Sequence, residues 1–151
     1  MNKRTFAIPV LGATGICLAT ACGSDPIVGA WELTELADGQ VIRELPRFTE
    51  TGDNTYEQFG SIVIADDLRG ALSLITYVSD YYGTRDEFLT AIVEGEEADG
   101  RTYALDTRGD FQTSITCEVD DDSNGDEQLS CSGQQENLQS FALTARRFED
   151  E

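Results

Sequence analysis

Apolar and polar residues alternate in short segments along most of the chain after residue 27. Trp31 and Leu33 alternate with two polar residues, and residues 111–119 keep the same period of two without interruption. This patterning is typical of β-strands that bury one face. Turn signals such as Asp38-Gly39 separate the segments at intervals of roughly 8 to 15 residues. The pattern predicts eight or nine strands and no long helix.

A meander of this kind is typical of an up-and-down antiparallel β-barrel of about eight strands, with a β-sandwich as the alternative. The pattern of residues 87–94 fits either a strand or a short helix. The acidic segment 94–100 is predicted to be a loop. Residues 71–82 form the strongest predicted strand, with apolar side chains on both faces. Either its outer face is partly covered, or it exposes an aromatic patch to a partner or to lipid headgroups.

The first 21 residues have the layout of a secretory signal peptide. A basic pair, Lys3-Arg4, precedes an apolar run that ends in small residues before Cys22. Pro9 and Gly12 interrupt the run, which is too short for a good membrane-spanning helix. Residues 18–22 resemble a bacterial lipobox, in which signal peptidase II cuts before an acylated cysteine. This resemblance implies lipidation of Cys22.

These features divide the chain into a signal peptide (1–21), a short lipid-anchor tether (22–26) and one β domain (27–151). The predicted location is the cell envelope, with the outer membrane favoured over the inner one. The membrane is then a partner through the lipid anchor.

Composition narrows the function classes. The chain has 29 acidic and 10 basic residues, a net charge of −19, no histidine and no lysine after Lys3. Nucleic acid binding needs clustered basic residues, so no nucleic acid partner is expected. The commonest general base and metal ligand are absent. We therefore predict that the protein is not an enzyme and has no catalytic residues, cofactor or metal site.

Cys117 and Cys131 form an even pair in a chain expected to enter an oxidising compartment. The midpoint between them is Asn124, and Asn124-Gly125 is a preferred centre for a tight hairpin turn. A hairpin centred there places the two cysteines opposite each other on neighbouring strands. The spacing predicts a disulfide, with a two-cysteine metal site as the less favoured alternative.

The same turn carries half of an EF-hand-like calcium loop. Asp120, Asp122 and Asn124 occupy alternating ligand positions before Gly125, but the position of the closing glutamate is Cys131. A solvated acidic hairpin tip explains the same residues without calcium. We expect weak calcium binding or none.

The start of the β domain, Gly29-Ala30-Trp31, resembles the Gly-x-Trp signature of lipocalins and bacterial lipocalin-like lipoproteins. The resemblance implies a barrel closed at one end by Trp31, with a late arginine, Arg146 or Arg147, stacked on it. It also implies a cup for a small apolar ligand. Two function classes stay open, a small-molecule carrier and a structural or protein-interaction lipoprotein with a filled barrel.

Overall fold

The protein folds as a closed antiparallel β-barrel. The computed structural model describes residues 25–135 and 139–148, and every regular element in these ranges is a strand. The strands are β1 (Gly29–Asp38), β2 (Val41–Glu44), β3 (Arg47–Thr51), β4 (Asn54–Ile64), β5 (Arg69–Asp80), β6 (Gly83–Asp99), β7 (Thr102–Gly109), β8 (Thr113–Asp121), β9 (Glu127–Gln135) and β10 (Ser140–Arg147).

The ring of the barrel contains eight strands, β1 and β4 to β10. Each strand from β4 to β10 pairs with its neighbour in the chain, and β1 closes the ring by pairing with both β10 and β4. Strands β2 and β3 are additional, attached to β1 and β4. The predicted all-β, up-and-down barrel is confirmed, in place of the β-sandwich alternative.

We call the end at which β1 begins the N-terminal end and the opposite end, which carries the β5–β6 turn, the distal end. A β-bulge in β1 keeps its apolar residues on the interior face. Trp31 and Leu33 are buried as their alternation predicts, and the register shifts between Leu33 and Glu35. The hydroxyl of Thr34, the extra residue, donates to the Thr144 carbonyl at 3.1 Å. The shift returns Leu36 to the interior.

The interior is lined by one cluster of apolar side chains drawn from every strand of the ring. Trp31 and Tyr103 are its largest members near the N-terminal end, and Phe141 lies closer to the distal end. Leu33, Ile62, Leu72, Leu74, Leu105, Leu129 and Leu143 fill the space between them.

The seam between β1 and β4 is short. Only residues 29–32 of β1 pair with residues 61–64 of β4, after which β2 and β3 separate the two strands. Pro46, which lacks an N–H, divides residues 41–51 into the two short strands β2 and β3. The side chain of Leu45 enters the core beside it.

Strand β6 departs from the sequence prediction at its C-terminal half. Residues 87–94 form a strand, not the alternative helix, and the acidic segment predicted as a loop continues that strand to Asp99. Glu96 and Glu97 pair with Ala104 and Tyr103 of β7. Most of the acidic side chains in this segment are exposed to solvent, so the segment can pair with β7 without burying their charges.

The β8–β9 hairpin has the predicted symmetry about Asn124. Cys117 is the cross-strand partner of Cys131, with their Cα atoms 4.0 Å apart and their Sγ atoms at disulfide distance, 1.98 Å. Both side chains are buried. The cysteines therefore meet inside the barrel, on two adjacent strands.

We predict that Cys117 and Cys131 are covalently linked in the exported protein. A disulfide between residues separated by 14 positions closes a loop for which chain entropy gives about 3 kcal/mol of stabilisation. Peptide mapping without reductant should recover the two cysteine peptides joined. Recovery of two freely alkylated thiols from folded, exported protein would contradict the prediction.

Candidate functional site

Trp31 and Arg147 close the N-terminal end of the barrel. The Trp31 side chain is fully buried and its Nε1 donates to the Ile27 carbonyl at 2.8 Å. The Arg147 guanidinium carbon lies 3.9 Å from the centroid of the indole ring, the geometry of a cation–π contact. The indole therefore has a polar partner at its edge and a cation on its face.

Arg147 also ties the N-terminal turn to the hairpin tip. Its Nη1 donates to the Val28 carbonyl at 2.6 Å, and its Nη2 donates to the Pro26 carbonyl. Its Nε donates to Glu127 Oε2 at 2.9 Å. One guanidinium thus connects the residues before β1 with β10 and β9, using the planar donor set that distinguishes arginine from lysine.

Gly29 is required by the same contact. Its φ is +129°, and a Cβ at this position would lie 2.5 Å from Arg147 Nη1. Any larger residue would be strained and would displace the guanidinium. Gly29 and Trp31 are therefore two parts of one arrangement, because the glycine leaves room for the arginine that stacks on the tryptophan.

The alternation of side chains along β10 shows which of the two candidate arginines, Arg146 or Arg147, stacks on Trp31. Arg147 shares its side of the strand with the buried Ala145 and is the cross-strand partner of Trp31. Arg146 points to the outer face, where its guanidinium binds Glu32 at 2.8 Å.

Tyr103 fills the interior near the same end. Its hydroxyl donates to the Gly100 carbonyl at 3.2 Å. Burial raises the pKa of the Tyr103 phenol above its ordinary value, and the negative charges of Asp25 and Glu97 raise it further. The phenol is neutral at physiological pH and acts as a packing residue with one satisfied polar atom.

Two interior glycines show how closely the middle of the barrel is packed. A Cβ on Gly60 of β4 would lie 2.5 Å from Cδ1 of Leu33 on the neighbouring strand β1. A Cβ on Gly95 would collide with the side chain of Leu105 on the neighbouring strand. The two leucines occupy the volume that larger residues at these positions of β4 and β6 would need.

Gln58 introduces a polar group into the interior towards the distal end. Its side chain is 3 % exposed and its Nε2 donates to Thr76 Oγ1 at 3.0 Å. Its Oε1 has no hydrogen-bond partner among the described residues. A buried acceptor without a donor is costly, so this side-chain atom requires an explanation.

The acidic hairpin tip is organised by Asp122 without a metal. Asp122 Oδ1 accepts the backbone N–H of Asn124 at 2.7 Å and that of Asp126 at 3.0 Å. These bonds, first that from Asp126 and then that from Asn124, lower the pKa of the Asp122 carboxyl. Within the described ranges no group of three or more acidic or cysteine side chains is arranged to hold a metal ion.

Strands β3 to β6 extend beyond the rest of the barrel at the distal end. We call β3 with residues 54–59, 75–80 and 83–90 the distal flap. Its turn exposes Tyr81 and Tyr82 almost completely, and the two rings form an edge-to-face pair at 5.5 Å. On the outer face, Phe59 contacts Tyr77, and β6 adds the exposed Phe88. Both alternatives for residues 71–82 are seen in part, because the outer face of β5 is half-buried at Ile75 and beside Phe59, whereas Tyr81 and Tyr82 are exposed in the turn.

The predicted signal peptide and Cys22 lie outside the described residues. The described chain begins at Asp25, whose carbonyl accepts the Val28 N–H in a turn at the N-terminal end. The residues that the structure describes include no helix that could span a membrane.

Three site features were missed from the sequence. Gly60 and Gln58 lie in an ordinary alternating segment, and only their contacts with the neighbouring strands β1 and β5 reveal what each does. Asp122 could have been recognised, because an Asp two residues before Asn124 and four before Asp126 is typical of a side chain that caps a turn.

We predict that Trp31→Ala lowers the free energy of unfolding by about 3–5 kcal/mol, as truncations of buried aromatic residues do. The substitution removes a fully buried side chain and the surface on which Arg147 stacks. The control is Glu32→Ala on the opposite face, where the lost ion pair with Arg146 should cost less than about 1 kcal/mol. Urea denaturation measures both, and equal losses would contradict the observed register.

We predict that Asp122→Ala destabilises the hairpin more than Asp126→Ala. Both substitutions remove one negative charge from the tip, but only Asp122→Ala also removes the acceptor of the turn N–H groups. The lowered pKa means that the contribution of Asp122 is complete above the ordinary carboxyl pKa of about 4. It is lost as the pH falls through the lower folded value. Thermal unfolding of both variants between pH 7 and pH 2 measures the difference, which should disappear at the acidic end.

The same cap explains why we expect no strong calcium site. Oδ1 of Asp122 is already engaged with two backbone N–H groups, and the closing ligand position is Cys131. Calorimetric titration with calcium checks this expectation. A dissociation constant well below about 10⁻⁴ M would contradict it.

Comparison of the chain with protein-family models, curated proteins and solved structures gives no match. The site therefore has to be interpreted from its own geometry.

Proposed function

We propose that this protein is a lipocalin-like lipoprotein of the cell envelope that acts as a protein-interaction domain. Cys22 carries the lipid anchor, and the barrel is a filled scaffold instead of a ligand carrier. The observation that carries the proposal is the packing of the interior. Leu33 lies against Gly60 and Leu105 against Gly95 with no space for a further methyl group at either glycine.

The arrangement at the N-terminal end supports the lipocalin-like part of the proposal. The resemblance implies a late arginine stacked on the tryptophan of Gly-x-Trp, and Arg147 lies on Trp31 in this way. The barrel has eight strands in up-and-down order, as the resemblance also implies.

The positions of Asp25 and of the β5–β6 turn at opposite ends of the barrel support the proposed orientation. Asp25, three residues after Cys22, lies at the N-terminal end, and the β5–β6 turn lies at the distal end. A domain anchored through Cys22 by such a short tether holds the Trp31 end towards the membrane. The distal flap, with Tyr81 and Tyr82 at its tip, then faces away from the membrane and towards other proteins of the compartment.

A small-molecule carrier is the second candidate, and Gln58 is the observation that favours it. Its buried Oε1 would accept a hydrogen bond from a ligand with an N–H or O–H group. Gln58→Met separates the two candidates. The substitution removes the unsatisfied Oε1 together with the bond from Nε2 to Thr76 Oγ1, so stability alone does not discriminate. A carrier loses affinity for its ligand, whereas a filled barrel has no ligand to lose.

The proposal is tested on full-length protein isolated from cells grown with a labelled fatty acid. We predict that the label is covalently attached and is lost in Cys22→Ala. Organic extraction followed by mass spectrometry should recover no small molecule in a stoichiometric amount from the folded barrel. Cys17→Ala, which removes a cysteine of the predicted signal peptide and leaves the Cys117–Cys131 disulfide intact, is the control and should keep the label.

The two parts of the proposal fail separately. Label retained on Cys22→Ala would exclude the anchor at this residue. A stoichiometric small molecule that remains bound to wild-type protein and is lost in Gln58→Met would replace the filled scaffold with a carrier.

A further inference from the structure

Strand β6 has a long edge that no other strand covers. Residues 91–99 pair with β7, but residues 83–90 pair only with β5, which accompanies β6 to the turn. Within the described residues, the side of β6 that faces away from β5 is therefore open over residues 84–89.

The backbone at this edge points outward at alternate residues. The N–H of Thr90 donates to Asp110 Oδ2 at 2.8 Å, and its carbonyl accepts the Asp110 N–H at 3.0 Å. Both groups of Thr90 therefore face away from β5. Because an antiparallel strand directs every second residue to the same side, the N–H and carbonyl groups of Phe88, Asp86 and Thr84 face the open edge.

Of the features that protect exposed strands from pairing, this edge has only charged side chains, those of Arg85, Asp86 and Glu87. Residues 84–89 contain no proline, lysine or β-bulge. Arg85 is the one basic residue of this stretch, and its guanidinium binds Asp80 at 2.7 Å on the neighbouring strand. Phe88 is 57 % exposed and Leu89 is 41 % exposed, so apolar side chains are available on both faces of the edge.

The charges at the edge select the partner. Asp86 and Glu87 are consecutive and exposed, and Asp110 lies at the base of the edge. A second copy of this chain, with its net charge of −19, would bring acidic residues against acidic residues. A basic segment would place its cations beside these carboxylates.

We propose that the β6 edge, residues 84–89, binds an extended cationic segment of a partner protein as an added β-strand. The main chain of the segment pairs with Thr84, Asp86 and Phe88, and its side chains alternate between the two faces of the flap. Two adjacent basic residues lie opposite Asp86 and Glu87, and two apolar residues lie opposite Phe88 and Leu89. This inference rests on the proposed interaction role and assigns it a surface and a partner chemistry.

The test uses full-length protein and a fluorescent peptide with two adjacent lysines followed by two valines. A second peptide has glutamates in place of the lysines. Fluorescence anisotropy should show saturable binding of the lysine peptide that weakens as the salt concentration rises, and much weaker binding of the glutamate peptide. Hydrogen exchange should show new protection at the Phe88 and Asp86 amides.

Two variants test the edge itself. Phe88→Pro removes an N–H that faces the open side, so the β5–β6 ladder is kept. Asp86→Lys combined with Glu87→Lys reverses the charge. Each should weaken binding of the lysine peptide by about tenfold or more. Phe88→Pro loses backbone pairing, and the charge-reversed variant loses charge complementarity. The control is Glu50→Lys combined with Asp53→Lys, which makes the same charge change on the opposite side of the flap and should leave affinity within about threefold.

Failure to bind the lysine peptide, or equal affinity in Phe88→Pro and wild-type protein, would overturn this inference. Protection that appears on strands other than β6 would also overturn it while leaving an interaction role in place. Recovery of a small molecule from the barrel interior bears only on the proposed function, since the interior is not part of the edge.

Discussion

The contact between Arg147 and Trp31 is the interaction on which the N-terminal end of the structure depends. A guanidinium stacked on a buried indole is worth up to about 2 kcal/mol when it is shielded from water. Here it also donates to the carbonyls of Pro26 and Val28 and binds Glu127. Loss of Arg147 would leave these carbonyls without their donor and would uncover one face of the indole.

The barrel is asymmetric because its strands differ in length. Strand β6 has 17 residues and β7 has 8, so one wall of the barrel rises well above the other at the distal end. The N-terminal end is sealed by Trp31, Tyr103 and Arg147 and provides a rigid base. In the distal flap, β3 and residues 83–90 of β6 are exposed to solvent, whereas Gln58 and Thr76 on one face are buried. The same chain therefore combines a packed scaffold with a surface that retains unused hydrogen-bonding capacity.

Much of this fold follows from alternation in the sequence. The burial of Trp31 and Leu33 and the cross-strand position of Cys117 and Cys131 are determined by local spacing, which a sequence displays directly. The bulge at Thr34 depends on the register of β1 against β10, a strand that is distant in the sequence. The acidic residues 94–99 remain in a strand because β7 supplies a ladder for them. Local composition does not reveal that neighbour.

The site was less predictable than the fold for the same reason. Gly-x-Trp marked Trp31, but the choice of Arg147 over Arg146 required the register of β10. Gly29 is explained only when the guanidinium beside it is seen. The open edge of β6 arises from a difference between two strand lengths, which no motif records. Residue patterns identified individual strands, whereas function at this surface depends on where one strand ends relative to the next.

The closure of the barrel by β1 has a consequence for the order of folding. Strands β4 to β10 form from hairpins between chain neighbours, so each pairing brings together residues that are close in sequence. Strand β1 closes the ring by pairing with β10, which is distant in the sequence. Glu32 and Arg146, which contact each other across this pair, are 114 positions apart. Such a distant contact carries a large loop-closure entropy. The ring can therefore close only after the last strand has been synthesised. Until then, the edge of β1 that pairs with β10 is exposed to water and to other chains, and Trp31 lies on this strand.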